Sequence, residues 1–203
     1  MKHVAGFITA ALLFGSALAQ QVAPDLLIKN VTKDVLDIVS KDQDIQNGNT
    51  AKAIALVEAK VLPDFDFRRM TALALGKEWR NATPDQQSAL TSEFRTLLVR
   101  TYSRALTAYK NQTIDFKPTK VVGDATDVTV RTEIKQPGTT SVSIDYAMER
   151  VVATWKVYDI TVSGISLVMS FRDQFAQEVL RGGIDGLIKT LHSKNEAKSR
   201  SVG

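Results

Sequence analysis

The chain has 203 residues, with 26 Lys plus Arg against 22 Asp plus Glu, two histidines and no cysteine. That length suits one domain or a tightly joined pair. The lack of cysteine excludes thiol chemistry, a disulfide framework and a diacyl lipoprotein anchor, and a net charge of +4 is too mild to single out an anionic partner.

The first nineteen residues read as a secretory leader. Lys2 supplies the positive start, Val4 to Phe14 the apolar run, and Ala17-Leu18-Ala19 the small-residue cleavage site. Residues 1–19 are therefore expected to be removed, leaving 20–203 as a single domain with net charge +3 and a flexible polar tail from about residue 195. Pro24 opens a helix carrying Leu26, Leu27, Val31, Val35, Ile38 and Val39 at helical spacing. Asn47-Gly48 marks a turn, and Asn49 or Thr50 caps a second helix bearing Ile54, Val57 and Val61. Phe67, Met70, Leu73 and Ala74 share one side of a short helix that Gly76 ends or bends. Thr83-Pro84-Asp85-Gln86 is a capping box with proline at the first helical position. The long helix behind it places Leu90, Phe94, Leu97, Leu98, Ala105, Leu106 and Tyr109 on one stripe.

From Thr113 the period changes to that of strands. Val128, Val130, Thr132 and Ile134 alternate with polar residues, as do Val142, Ile144, Tyr146 and Met148 after the Gln136-Pro137-Gly138 turn. The strand from Thr154 to Val162 differs, because Trp155 and Val157 alternate out of step with Tyr158, Ile160 and Val162. It reads as apolar on both faces and more deeply covered. Helix returns after Gly164, and Gly182-Gly183 splits the last helical stretch in two. The expected fold is α+β: N-terminal helices and a long central helix on a strongly twisted antiparallel sheet of about four strands, with C-terminal helices.

Enzymatic chemistry finds little support. His3 leaves with the leader and His192 lies in a charged stretch, so His-based triads and His-rich metal sites are excluded. Gly164-Ile165-Ser166-Leu167-Val168 lacks the final glycine of a nucleophile elbow, and Leu187 stands where a phosphate loop needs lysine. Asp64 and Asp66 flank Phe65 as a conceivable cation or acid pair, but helix-start carboxylates are the simpler reading. Arg68-Arg69, Arg80 and the Lys189, Lys194, Lys198 and Arg200 series read as solvated faces with no interleaved aromatics, so no nucleic acid is expected.

Three ordered blocks carry a resemblance. Leu62-Pro63 and Phe67 lead to Leu75-Gly76 and Trp79; Ala82-Thr83-Pro84 leads to Phe94-Arg95; and Trp155-Lys156-Val157-Tyr158-Asp159 extends into Gly164-Ile165-Ser166-Leu167-Val168 and Gly182-Gly183-Ile184-Asp185-Gly186. Together they resemble the MlaC (toluene-tolerance) family of periplasmic phospholipid-binding proteins, and they span nearly the whole chain after the leader. One departure is Arg150-Val151-Val152-Ala153-Thr154, where a polar or glycine-bearing hairpin turn is expected. The resemblance implies a periplasmic, non-enzymatic and monomeric shuttle with phospholipid as cargo and no cofactor or metal. It also implies two partners, the lipid-binding subunit of an inner-membrane ABC transporter and an outer-membrane lipoprotein–porin complex, in maintaining outer-membrane lipid asymmetry.

The physical need is plain. Exposing a two-chain lipid's roughly thirty methylenes at about 0.8 kcal/mol each costs on the order of 24 kcal/mol, and shielding them needs roughly 800 Å³ of cavity. The stretch YDITVSGISLVMSFRDQF, from Tyr158 to Phe175, offers such oil at a strand-to-helix junction. The candidate cavity lining is Phe67, Met70, Leu98, Tyr102, Leu106, Tyr146, Met148, Ile160, Val162, Ile165, Val168, Met169 and Phe171. The competing readings are an α+β adaptor that binds a protein and no lipid, and a periplasmic hydrolase using an acidic residue such as Asp64.

Overall fold

The computed structural model describes residues 22–110 and 112–200, with side chains described as far as residue 197; the expected leader and its cleavage site lie outside the described residues. Helix α1 (Pro24–Val39) begins with proline at its first turn, and α2 (Gln43–Gln46) is a single turn capped by Asp42. Asn49 caps α3 (Thr50–Lys60) by accepting from the Lys52 N–H at 3.0 Å. Asp66 caps α4 (Phe67–Leu75) by accepting from the Arg69 N–H at 2.8 Å, and Gly76 ends it at φ +61°. The capping box of α5 (Pro84–Tyr102) is closed in both directions between Thr83 and Gln86.

Helix α5 ends seven residues before the Tyr109 expected from its stripe. Beyond Ser103 only one turn, α6 (Arg104–Thr107), continues, with three-residue-spaced bonds such as Leu106 N–H to Ser103 C=O at 3.1 Å. The break lets Leu106 and Tyr109 pack with Val35, Val39, Ile45, Ala53 and Leu56 of the N-terminal helices. Tertiary burial outweighs helical continuity here.

The sheet is an antiparallel meander of five strands in chain order: β1 (Thr113–Phe116), β2 (Asp127–Lys135), β3 (Val142–Val151), β4 (Thr154–Val162) and β5 (Ile165–Ser166). The fifth, not expected from the sequence, is a two-residue strand folded back by Ser163 and Gly164, both at positive φ. The turn between β3 and β4 is Val152-Ala153, with Val152 at φ +54° and 97% exposed, a conformation that a β-branched residue adopts only under strain.

The anomalous strand β4 is explained by a bulge. Ala147 pairs with Asp159, but Met148 pairs with Val157, leaving Tyr158 as the extra residue. The insertion reverses the alternation, so Trp155 and Val157 share the inner face with Ile160 and Val162. The strand is not covered on both faces, as its pattern suggests; it has one apolar face with a slip in it.

Tyr158 instead receives the Arg69 guanidinium, 3.5 Å from its ring centroid. The same guanidinium pairs with Glu149 and, at 2.9 Å, with Asp127. Those two carboxylates stand directly opposite each other across β2 and β3, an arrangement that repels without a cation between them. Burial holds Glu149 above its ordinary carboxylate range, against the pull of Arg69. Arg69 therefore fastens α4 to three strands at once rather than decorating a solvated face.

The final helix, α7 (Arg172–Arg200), is broken at Gly183, whose φ of +67° and ψ of −171° are not helical. The Thr190 hydroxyl reaches Glu178 at 3.1 Å across twelve residues, a span of about 18 Å in a straight helix, so the second segment folds back along the first. The helix also continues past residue 195, where the sequence suggests a flexible tail. Asn195 is buried and donates to the Glu93 carbonyl at 3.0 Å and to its carboxylate at 2.6 Å, while His192 meets Glu93 at 2.9 Å.

Arg69→Met should lower folding stability by about 1–2 kcal/mol, because it leaves two opposed carboxylates without a cation. The deficit, read by urea denaturation, should shrink in acid as Glu149, held above its ordinary carboxylate range by burial, takes up its proton, and Glu149→Gln should recover part of it. An unchanged midpoint at neutral pH would show that the clamp contributes nothing.

Candidate lipid-binding cavity

The buried apolar residues group into three hydrophobic clusters, with Phe65 packed against the first two. The first joins α4, α5 and α7 around Phe94, with Phe171 and Phe175 edge-on to it at 5.1 Å each. The second lies under the sheet around Met148, Trp155 and Val157, and the third knits α1, α2 and α3 together. Where the three approach one another, a cavity of about 380 Å³ remains.

Its walls follow from local periodicity. Helix α1 contributes Ile28, Val31, Thr32, Val35 and Leu36, a continuous stripe at helical spacing. From α3 and the turn after it come Val57, Val61, Leu62 and Phe65, and from the α5–α6 break come Leu98, Val99, Tyr102, Ser103, Ala105, Leu106 and Tyr109. The floor is one face of the sheet, where Ile114 of β1 faces Ile134 of β2, and Tyr146 of β3 faces Ile160 of β4. Phe67, Met70, Ile144 and Leu167 complete the lining, and none of these 24 residues is charged. Tyr102, 38% exposed, marks where the wall meets solvent. Burial raises the pKa of both Tyr102 and Tyr146, as expected for phenols on an apolar wall.

Of the residues expected from the sequence, Phe67, Met70, Leu98, Tyr102, Leu106, Tyr146 and Ile160 are on the wall. Met148 is not; it is fully buried between β2 and β4 as the centre of the sheet cluster. Val162 pairs with Ile144 at the far end of β4, outside the lining. Val168 is fully buried in the Phe94 cluster, and Phe171 packs against that cluster. Ile165 is 66% exposed and Met169 also faces outward.

The junction fails as a wall for a local reason. The Asp159 carboxylate accepts from the Ser166 hydroxyl at 2.5 Å and from the Val168 N–H at 3.2 Å. That capture turns the chain sharply after β5, driving Val168 into the helical core and leaving Ile165 outside. Only Leu167, whose N–H bonds the Ile160 carbonyl at 2.8 Å, reaches the cavity.

The α1 stripe and the isoleucines at 114, 134 and 144 are among the lining residues not expected from the sequence. Their spacing is visible in the sequence but identical to that of an ordinary packed face. The Asp64–Asp66 pair is divided between two tasks: Asp66 caps α4, and Asp64 lies near Lys156 with its pKa raised by burial. The volume is also about half the roughly 800 Å³ needed for thirty methylenes.

Comparison with known proteins agrees with this architecture. A solved structure of a phospholipid-binding protein from Ralstonia solanacearum, in complex with a phospholipid, superposes with a TM-score of 0.80 at 38% identity, covering 88% of this chain and 99% of that one. The intermembrane phospholipid transport system binding protein MlaC of Haemophilus influenzae is 24% identical over 187 residues, 91% of this chain and 87% of that protein. The toluene tolerance protein ttg2D of Pseudomonas putida is 34% identical over 112 residues, 55% of this chain; the match spans about half of that protein, 51%. The family model described as MlaC protein matches residues 29–193, and the chain therefore belongs to the MlaC family.

Proposed function

We propose that this protein is a periplasmic phospholipid carrier that shields acyl chains in the cavity and leaves the headgroup in water. The observation that carries the reading is an uncharged cavity of about 380 Å³, set among three hydrophobic clusters, in a fold shared with a protein solved with phospholipid bound. In this reading residues 1–19 direct export and are cleaved after Ala19. The carrier is a monomer that meets an outer-membrane lipoprotein–porin complex on one side of its path and the lipid-binding subunit of an inner-membrane ABC transporter on the other. It does no covalent chemistry and needs no metal or nucleotide. No helix among the described residues is long and apolar enough to cross a membrane, which fits a shuttle between two of them. A second acyl chain requires the walls to part, because the volume accommodates about half of a two-chain lipid.

The wall assignment separates two substitutions. Ile144→Glu puts a carboxylate on the cavity floor and should cut co-purifying lipid at least about tenfold, since an unpaired charge facing acyl chains costs several kcal/mol. Ile165→Glu, on the exposed junction, should keep its lipid and change stability by less than about 0.5 kcal/mol. Lipid phosphorus per mole of protein, with circular dichroism to confirm folding, reads both. A folded Ile144→Glu that retains lipid would remove the cavity from consideration.

Mass spectrometry of lipid extracted from purified protein tests the cargo. Several phospholipid classes in proportions near those of the membrane are expected, because affinity built on apolar burial discriminates headgroups weakly. The lipid should survive dialysis against a chelator. Protein that carries no lipid would favour the adaptor reading, and lipid lost to chelator and restored by calcium would reinstate Asp64 and Asp66 as ligands.

A further inference from the structure

The cavity wall contains one buried hydroxyl that the protein itself leaves without a partner. Ser103 is 3% exposed, and its Oγ makes no hydrogen bond among the described residues. A hydroxyl in that state is costly, and native proteins rarely leave one without a role. Other hydroxyl side chains on these helices show what is ordinary. Thr71, Thr91, Thr96 and Thr101 each donate to the carbonyl four residues back, at 2.6, 2.7, 3.0 and 2.6 Å. Ser103 does not, although the carbonyl four residues back from it, on Val99, accepts the Ser103 N–H at 2.9 Å in the ordinary helical way.

The position of this hydroxyl suggests what it is for. Ser103 is at the break between α5 and α6, beside Tyr102, where the apolar wall meets solvent. A tail-in lipid has its own polar–apolar boundary at the ester linkages, whose carbonyl oxygens accept hydrogen bonds and carry no charge. A fatty-acid carboxylate would also accept, but no residue of this wall carries the positive charge to compensate it.

We propose, on the basis of the carrier reading, that the Ser103 hydroxyl donates to an ester carbonyl of the bound lipid and sets the depth to which the lipid enters. Ser103 is then a residue that distinguishes acyl esters from equally apolar ligands lacking the carbonyl. Its neighbour Tyr102 marks the level at which the lipid passes from cavity to solvent.

The test compares a short-chain diacyl phosphatidylcholine with its dialkyl ether analogue, matched in chain length and headgroup, each displacing a fluorescent phospholipid from delipidated protein. The wild type should bind the ester about threefold to tenfold more tightly, the effect of one net hydrogen bond. Ser103→Ala should bind both lipids with the affinity the wild type has for the ether, and its melting temperature should stay the same or rise, because an unpartnered buried hydroxyl has been removed. Equal wild-type affinities for ester and ether would overturn the assignment without any variant. So would an ester preference that persists in Ser103→Ala, or a variant that loses both lipids alike together with melting temperature. A wild type that binds neither lipid would overturn the carrier reading itself, an outcome distinct from all of these.

Discussion

Side chains from three hydrophobic clusters converge on one volume without filling it, and the rest of the structure depends on tolerating that. Protein interiors are normally packed as densely as organic crystals, with one contiguous core per domain. At about 24 cal/mol per Å³, a dry, unoccupied cavity of 380 Å³ would cost on the order of 9 kcal/mol, comparable to the whole stability of a domain. Solvent at the Tyr102 rim lowers that figure, and an apolar ligand would remove most of it. The same unfilled volume that weakens the fold supplies the drive to bind.

A protein that forgoes packing at its centre needs rigid walls held from outside. The Arg69 clamp does this for the sheet, tying α4 to β2, β3 and β4. The bulge at Tyr158 delivers a ring to Arg69 and keeps Trp155, Val157 and Ile160 aligned on the inner face. On the helical side, α7 folds back at Gly183 and is strapped to α5 through Glu93, which closes the Phe94 cluster whose Met70 and Leu98 also line the cavity. Each wall thus has its own source of stability.

The α5–α6 break links this architecture to specificity. A continuous helix to Tyr109 would satisfy its own backbone, but it would carry Leu106 and Tyr109 away from the N-terminal cluster. Ending the helix at Tyr102 brings them to the wall and leaves the buried Ser103 hydroxyl next in sequence to the partly exposed Tyr102. The strained Val152 turn, by contrast, is exposed at the far end of the β3–β4 hairpin, and its strain has no connection to the cavity that the contacts reveal.

The sequence by itself determined whatever depends on nearest neighbours along the chain. Pro24, a cap at Asn49 or Thr50, the Thr83–Gln86 box, Gly76 and the Gly182-Gly183 pair mark helix ends through backbone chemistry that distant contacts do not alter. The alternation of β2 and β3 likewise requires a one-sided sheet. The ordered blocks from Leu62 to Gly186 also pointed to the family. Only the tertiary structure decided which oily residues face a cavity and which fill a core. Met148 and Ile160 both belong to the sheet's inner face, yet one is sealed between strands and the other faces open space. Val168 and Leu167 are adjacent, and the capture of a backbone N–H by Asp159 sends them to different places. Periodicity gives the face of an element but not what stands opposite it. A cavity is defined by that opposite wall, which comes from segments far away in the chain.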